Sequence, residues 1–307
     1  MASDATASDV TLVNSYTNGQ QITPSITALT NGGWVVTWYG EGPGGDSFDI
    51  FQQRYAANGN AVGPETLVNS YTTGYQTDPS ITALPDGGWV VTWDGEAFGS
   101  SFIDIHQQRY TADGHTVPGG SVVNTYLTGG QSTPTTTTLS DGGWVVAWQG
   151  EGADDSNGIF LQRYDKDGNT LGSETPVNTY TTSDQVDPAV TALAGGGWVV
   201  TWEGEGTGDS AGIFQQAYAA DGNQVGTETR VNDYTTNDQL NSSVAALADG
   251  GWVVTWSGQG AGDAAGVFLQ RYAANGDTAG SETLVNSYIT MINRPPQSPR
   301  LPMAAGW

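Results

Sequence analysis

The side chains of this sequence that could do chemistry lie in two sets of loops, and both sets are rich in carboxylates. One set follows five copies of the run "WVVTW" or "WVVAW"; its acidic and amide side chains are Glu41, Asp46 and Asp49, Glu96 and Asp104, Glu151, Asp154 and Asp155, Glu203, Glu205 and Asp209, and Gln259 and Asp263. The other set follows the dipeptide "VN" and carries Tyr71 and Asp78, Tyr126, Tyr180 with Asp184 and Asp187, and Tyr234 with Asp233 and Asp238. Carboxylates, amides and aromatic rings together favour the binding of a sugar or of a hard cation.

A sugar would use both kinds of side chain in these loops. Aromatic rings stack on the apolar face of a pyranose, while Asp, Glu, Asn and Gln side chains bind its hydroxyl groups. The predicted ligand-binding residues are Tyr39, Glu41, Tyr71, Tyr75, Glu96, Tyr126, Glu151, Tyr180, Glu205, Tyr234 and Gln259. The alternative for the tyrosines that follow "VN" is a packing role, in which each ring covers a neighbouring structural unit.

A hard cation would use the carboxylates beside backbone carbonyls of the Gly-rich loops. Ca²⁺ takes six to eight oxygen ligands of these types. The predicted metal ligands are Asp46, Asp155, Asp209 and Asp263. The alternative is a solvated acidic surface, because a chain with a formal charge of −24 has acidic loops in any case.

The elements that position these loops repeat along the chain. The run "GGW" recurs with its tryptophan at positions 34, 89, 144, 198 and 252, so one unit is 54 or 55 residues long. Each unit contains four short apolar runs separated by turn residues, exemplified by "PSITAL", "WVVTW", "IFLQRY" and "ETLVN", and none shows helical periodicity. Four strands in each of five units predict an all-β fold, a five-bladed β-propeller with four antiparallel strands per blade.

Strand order within a unit predicts where the side chains lie. In "WVVTW" a period of two places both tryptophans on one face of the strand, and we expect that pair in the core. The tight turns fall on one face of the propeller and both sets of long loops on the other, so function is expected on the long-loop face. Arg54 with Glu65, and Arg163 with Glu174, lie symmetrically about a hairpin turn, which predicts structural ion pairs across adjacent strands.

The ends of the chain raise a question of ring closure. The repeats predict a single propeller over residues 9–290, while residues 291–307 form a Pro-rich tail without acidic residues, expected to be disordered or an expression remnant. Residues 11–14 and 283–286 both resemble an outermost strand, so the sequence holds six candidates for five places. The spare copy is displaced, pairs with another chain in a strand-swapped oligomer, or marks a segment of a longer array.

Composition excludes several classes of function. The 32 acidic residues against 8 Lys and Arg would repel nucleic acids and anionic lipid surfaces. The absence of cysteine removes thiolate catalysis and zinc–sulfur sites, and the two histidines, His106 and His115, both lie in the second repeat. A Ser-His-Asp arrangement shared by the repeats is therefore excluded. No window has the length of a membrane-spanning helix, and residues 1–8 lack the features of a secretory signal.

The repeat unit, with its "ALADGGWVVTW", "QRY" and "VN.YTT.DQ" segments, resembles the tandem repeats of large secreted proteins of alphaproteobacteria and cyanobacteria. The likeness covers residues 9–290. It implies a secreted, adhesin-like or calcium-binding protein, although the chain lacks the glycine-aspartate nonapeptide array of the secretion-linked type. Five blades are also similar to tachylectin-type lectins, which is a likeness of fold alone.

These observations predict a non-enzymatic, multivalent carbohydrate-binding protein, because near-identical repeats should place equivalent carboxyls in equivalent settings, whereas glycoside hydrolysis needs two carboxyls in different settings. A spacer module of a surface protein is one alternative. A glycoside hydrolase that uses propeller carboxylates is the other.

Overall fold

The computed structural model describes residues 11–42, 47–97, 102–119 and 121–287, and they form five four-stranded antiparallel sheets, one for each repeat. The prediction of an all-β propeller with five blades of four strands is confirmed. The described part of the chain has no helix that is long and apolar enough to cross a membrane.

The strands run from the innermost to the outermost position of each blade in chain order. Blade one comprises β1 (Gln21–Ala28), β2 (Trp34–Glu41), β3 (Phe48–Tyr55) and β4 (Thr66–Leu67). Blade two comprises β5 (Gln76–Ala83), β6 (Trp89–Glu96), β7 (Ile103–Tyr110) and β8 (Ser121–Val122). Blade three comprises β9 (Gln131–Thr138), β10 (Trp144–Gly150), β11 (Gly158–Tyr164) and β12 (Thr175–Pro176). Blade four comprises β13 (Gln185–Ala192), β14 (Trp198–Gly206), β15 (Asp209–Tyr218) and β16 (Gln224–Arg230). Blade five comprises β17 (Gln239–Ala246), β18 (Trp252–Gly260), β19 (Asp263–Tyr272) and β20 (Thr283–Leu284).

The paired glycines before each tryptophan make the tight turn between the first two strands of a blade. In blade three, Gly142 has a φ of +87°, which a residue with a side chain rarely adopts. A Cβ at Gly143 would collide with the carbonyl oxygen of Tyr164 on the neighbouring strand. The first glycine therefore supplies the backbone conformation, and the second allows the close approach of two strands.

The core lies between adjacent blades and is dominated by the tryptophans. Trp144 and Trp148 are fully buried, and Trp144 stacks on Tyr164 with ring centroids 5.1 Å apart. The indole N–H of Trp144 donates to Gln107 Oε1 of the preceding blade at 3.0 Å. The prediction that the tryptophan pair belongs to the core is confirmed for these residues and for their equivalents in the second, fourth and fifth repeats.

The predicted Arg–Glu pairs do not form. Arg163 instead pairs with Asp141 of the glycine turn at 2.6 Å and lies over the ring of Trp198 in the next blade. Glu174 accepts a hydrogen bond from the backbone N–H of Thr125 at 2.5 Å. The cause is the register: the backbone carbonyl of Arg163 accepts from Leu171, while Leu161, two residues earlier, pairs with Thr175. The segment between Leu171 and Thr175 therefore has more residues than regular pairing requires, and Glu174 does not lie opposite Arg163.

The blades form four packed interfaces in succession. Buried apolar clusters join blade one to two, two to three, three to four and four to five. Within the ranges that the structure describes, no cluster of this kind joins blade five to blade one, and their strands make no extensive contact. The outer strand of blade five is the C-terminal candidate, β20, which pairs with β19. Residues 11–14, the N-terminal candidate, form no strand.

Candidate active site

The innermost strands of all five blades begin at one open cavity on the long-loop face, which we call the central mouth. Its volume is about 620 Å³. Its lining residues are Thr23, Pro24, Asp78, Pro79, Thr133, Pro134, Asp187, Pro188, Glu203, Asn241 and Ser242. Every blade therefore contributes to one shared site, and the position of the mouth agrees with the expected functional face.

A conserved local structure within the repeats directs side chains into the mouth. In blade four, the buried Gln185 accepts the indole N–H of Trp202 at 2.9 Å and donates to the carbonyl of Glu205 at 2.9 Å. The strand then departs from regular pairing between Val186 and Ala189, and Asp187 adopts a φ of +51°. The same irregularity occurs in the other blades at Thr23, Asp78, Thr133 and Asn241, all with positive φ. Such strained positions are typical of functional sites.

Three carboxylates line the mouth and a fourth, the buried Asp94, lies beside it, and they come from only two of the blades. Asp78 and Asp94 belong to blade two, and Asp187 and Glu203 belong to blade four. Asp94 and Glu203 lie on β6 and β14, at equivalent positions beside the irregular segment of their own blade. The corresponding residues of the other blades are Tyr39, Gln149 and Ser257. The two carboxylate pairs therefore lie on either side of blade three.

Asp94 is held in a setting that favours its protonated form. Its side chain is buried, and Thr77 Oγ1 donates a hydrogen bond to Asp94 Oδ1 at 2.7 Å. Burial raises the pKa of Asp94 to about 6, the charge of Asp78 adds to that rise, and the hydrogen bond from Thr77 opposes it. A carboxyl group with such a pKa can hold a proton near neutral pH and donate it.

Two other carboxyl groups of the mouth, those of Asp78 and Glu203, also have raised pKa values. Burial raises the pKa of Asp78, and the charge of Asp187 adds to the rise. Burial also raises the pKa of Glu203, again with a contribution from Asp187, while hydrogen bonds from the backbone of Asn241 and Ser242 oppose the rise. Asp187 itself is exposed to solvent at the mouth. The four groups thus occupy different environments within one electrostatically connected cluster.

An aromatic cluster flanks the carboxylates of blade two. Tyr39 makes an edge contact with Phe48 at 5.5 Å between ring centroids, and Phe48 lies 5.7 Å from Tyr75. Burial raises the pKa of Tyr39, and the charges of Asp78 and Asp94 raise it further. Tyr75 is 56% exposed. Two predicted sugar-stacking residues therefore lie beside the carboxylate cluster.

None of the predicted ligand-binding residues is a lining residue of the central mouth, and those other than Tyr39 and Tyr75 lie elsewhere in the loops. Glu205 accepts hydrogen bonds from Ser183 Oγ at 2.5 Å and from Tyr180 Oη at 3.2 Å, so it fastens the loop before its own inner strand. Its equivalents in the first three blades lie against the glycines that occupy the place of Ser183: Glu41 against Gly19, Glu96 against Gly74 and Glu151 against Gly129. In blade five, Gln259 contacts Asn237. Tyr126 lines a separate cavity of about 470 Å³ between blades two and three. Tyr71 and Glu96 line another cavity, between blades one and two, and Tyr234 occupies the position equivalent to Tyr71 after blade four.

The predicted metal ligands that the structure describes have hydrogen-bond partners within the protein. Asp209 accepts hydrogen bonds from Asn232 Nδ2 at 2.7 Å and from the backbone N–H of Ala211 at 3.2 Å, so it joins the loop to the outer strand of its blade. Asp155 and Asp263 make the same bonds to Asn178 and Asn286. The described residues contain no group of three or more His, Asp or Glu side chains arranged to hold a metal ion. Asp46 lies outside the described residues.

Sequence reasoning missed the residues of the mouth as a site, although a signal was present. The position two residues after the invariant glutamine reads Thr, Asp, Thr, Asp and Asn in the five repeats, and the position directly after the "WVVTW" or "WVVAW" run reads Tyr, Asp, Gln, Glu and Ser. Variation at these two positions, close to a glutamine and a tryptophan that all five repeats share, allows them to have different tasks in different blades.

Comparisons with known proteins support the fold. No family model and no curated protein matches the chain. Several solved structures do match the chain. One is a Hadza microbial sialidase, with a TM-score of 0.56, 14% sequence identity and coverage of 87% of this chain and 58% of that chain. An α-L-arabinanase of Penicillium chrysogenum complexed with arabinobiose has a TM-score of 0.55, 17% identity and coverages of 86% and 80%. A mutant α-L-arabinofuranosidase of Fusarium graminearum in complex with an iminosugar inhibitor has a TM-score of 0.52, 16% identity and coverages of 86% and 80%.

The chain has the fold of these glycosidases. This finding contradicts the predictions of a non-enzymatic binder and of a chain that is not an enzyme. The physical premise of those predictions was wrong as well, because the carboxyls of the mouth are not equivalent: blades two and four carry acidic pairs, while blade three carries Gln149 and Thr133 at the same positions. Repetition of the scaffold has not made the site symmetric.

Proposed function

We propose that the protein is a glycoside hydrolase that cleaves neutral glycans at the central mouth. The observation that carries the proposal is the pair of different carboxyl environments on either side of blade three, the buried Asp94 and the exposed Asp187. Glycoside hydrolysis uses one carboxylic acid and one carboxylate, and their different environments assign the two roles. The glycosidase activity of the structural neighbours, and the arabinobiose bound in one of them, support a carbohydrate substrate.

Asp94 is the general acid in this proposal. Its raised pKa of about 6 keeps a proton available, and the hydrogen bond from Thr77 holds the carboxyl in place. Asp94 gives its proton to the glycosidic oxygen as the bond from that oxygen to the anomeric carbon breaks. The departing sugar leaves with a free hydroxyl group.

Asp187 is the second carboxyl group in this proposal. It lies on the other side of blade three, is open to solvent, and carries the charge that raises the pKa of Asp78 and of Glu203. As a carboxylate it either activates water or attacks the anomeric carbon, and one water molecule is consumed in each complete turnover. Its negative charge also stabilises the positive charge that develops on the sugar ring.

The charge of the mouth determines the substrate class. Three carboxylates line it, the buried Asp94 lies beside it, and no Lys, Arg or His is among its described lining residues. An acidic sugar would be repelled because no cation compensates its carboxylate. Tyr39 and the exposed Tyr75 offer apolar surface for a neutral ring. We therefore expect neutral pentoses or hexoses as substrates.

The proposal is tested by incubating the protein with chromogenic glycosides of neutral sugars, including an arabinofuranoside, and with a sialoside as the acidic counterpart. Hydrolysis of at least one neutral glycoside, without cleavage of the sialoside, supports it. Absence of turnover across neutral glycosides and neutral polysaccharides, from pH 4 to pH 8, overturns it.

A further inference from the structure

Blade one and blade five each expose a surface that every other blade buries. We call the surface of blade five the tail face; it consists of Val253, Val267, Arg271 and Val285. We call the surface of blade one the head face; it consists of Ile26, Trp34 and Val36. The equivalents of these residues form the four interfaces between consecutive blades.

The tail face shows the contrast most clearly. Val267 is 43% exposed, whereas its equivalents Ile50, Ile105, Ile159 and Ile213 are each 0% exposed. The side chain of Arg271 is 48% exposed, but that of Arg163 is 13% exposed because the ring of Trp198 covers it. The tail face therefore has the composition of a blade interface and lacks the following blade.

The head face is the complementary half of such an interface. Ile26 is 65% exposed, whereas Ile81 at the equivalent position of blade two is 6% exposed. Trp34 is partly exposed, while its four equivalents are buried. The two faces match because the interface between blades four and five already joins a tail-type surface to a head-type surface.

The N-terminal segment already lies where the outer strand of a preceding blade would run. The backbone N–H of Ser15 donates to Glu65 at 2.5 Å, as Thr179 donates to Glu228 at 2.5 Å where blade three meets blade four. Residues 12–15 and 284–287 both read "LVNS". Residues 12–15 can thus take the place of 284–287 beside β19.

We propose that the tail face of one copy of this chain binds the head face of a second copy, and that residues 12–15 of the second copy serve as the outer strand of blade five in the first. The four packed interfaces within one chain leave both faces exposed, and close-packed interiors resist a change in the angles between blades. A second copy satisfies both faces and changes only the outer strand of blade five, where its residues 12–15 replace residues 284–287 of the first copy. Contacts of this head-to-tail type close into rings or extend into filaments.

The experiment uses the full chain and two charge substitutions, Ile26→Glu on the head face and Val267→Glu on the tail face. Both side chains are exposed in the single chain, so the fold tolerates the charge, whereas an interface would bury it unpaired. Leu127→Glu is the matched control, because Leu127 is 55% exposed and belongs to neither face. Light scattering after size-exclusion chromatography gives the mass of each variant across a concentration series.

We expect concentration-dependent assembly of the unmodified chain and of Leu127→Glu, and an association roughly 100-fold weaker for either face variant. An equimolar mixture of Ile26→Glu and Val267→Glu should form dimers and nothing larger, because only one intact head and one intact tail can meet. Leu12→Glu should also weaken assembly, since Leu12 takes the place of Leu284. A monomeric unmodified chain at all concentrations, or a mixture that forms no dimer, overturns the proposal.

Discussion

Gln149 and Asp94 occupy equivalent positions in blades three and two, and each side chain accepts a hydrogen bond from the backbone of the next blade. The backbone N–H of Asp187 donates to Gln149 Oε1 at 2.7 Å, and that of Thr133 donates to the Asp94 carboxyl. A neutral amide is therefore sufficient for the structural task of joining two blades. A buried carboxyl at the same position costs free energy of folding, so Asp94 is explained by chemistry rather than by architecture.

Replacement of Asp94 by Asn should stabilise the protein at neutral pH. The folded-state pKa of about 6 exceeds the ordinary value of 3.8, so folding of the unmodified chain loses stability as pH rises from about 4 through 6. Asp94→Asn removes that loss and should increase the free energy of unfolding at pH 8 by on the order of 2–3 kcal/mol. At pH 4 the two proteins should differ little. Urea denaturation at both pH values measures the difference.

Glu151→Gln is the control for that comparison, because Glu151 is an exposed rim carboxyl and its replacement removes the same formal charge. It should change stability by less than about 0.5 kcal/mol at either pH. A gain for Asp94→Asn that is the same at pH 4 and pH 8 would show that the carboxyl is not titrating between them.

The rate of hydrolysis should depend on pH through the same group. Because Asp94 must be protonated to act as the acid, kcat/KM should fall as pH rises above about 6, tenfold per pH unit. Rim variants such as Glu205→Gln should leave the position of this limb unchanged. Initial rates on a neutral chromogenic glycoside give the profile. A rate that stays constant from pH 5 to pH 8 would assign the acid to another group.

Trp89 and Trp34 should differ in their contributions to stability. Trp89 is 1% exposed and donates its indole N–H to Gln52 at 2.9 Å, whereas Trp34 belongs to the head face. Trp89→Ala should cost about 3–5 kcal/mol of stability, and Trp34→Ala should cost clearly less in the single chain. Denaturation at a concentration too low for assembly measures both. Equal losses would show that a preceding blade covers Trp34.

The loop aspartates should act through hydrogen bonds and without calcium. Asp209→Ala removes one of the two acceptors of the buried Asn232 amide group, which should cost about 1–3 kcal/mol. Addition of millimolar Ca²⁺ or of a chelator should leave the melting temperature of the unmodified protein unchanged. A rise in melting temperature with Ca²⁺ that Asp209→Ala abolishes would restore the predicted metal site.

The repeat period predicts the fold well because each blade is a local unit whose strands follow one another in the chain. Trp144, Trp148 and the turn at Gly142 could all be assigned from spacing alone. The pairing of Arg163 could not, because the extra residues in the outer segment shift the register, and spacing from a turn does not reveal them. The open interface between blades five and one depends on the angle between packed blades, which no repeat pattern specifies.

The site was harder to predict for a different physical reason. Treating the five repeats as equivalent emphasises what they share, and what they share here is the scaffold that places Asp94, Gln149 and Glu203 at one level of the mouth. The chemistry depends on how these side chains differ. Burial, the hydrogen bond from Thr77 and the neighbouring charge of Asp78 distinguish Asp94 from other carboxyls, and all three follow from tertiary contacts.

The most direct test of the central claim is the rate of hydrolysis of a neutral glycoside by the unmodified protein, Asp94→Asn, Asp187→Asn and Glu151→Gln, each confirmed to be folded by its circular-dichroism spectrum. We predict that Asp94→Asn and Asp187→Asn each lower kcat/KM by about 10²–10⁴-fold, because each removes an acid, base or nucleophile of the reaction. Glu151→Gln, at the rim, should retain nearly full activity. Unchanged activity in both mouth variants would contradict the assignment of catalysis to the central mouth.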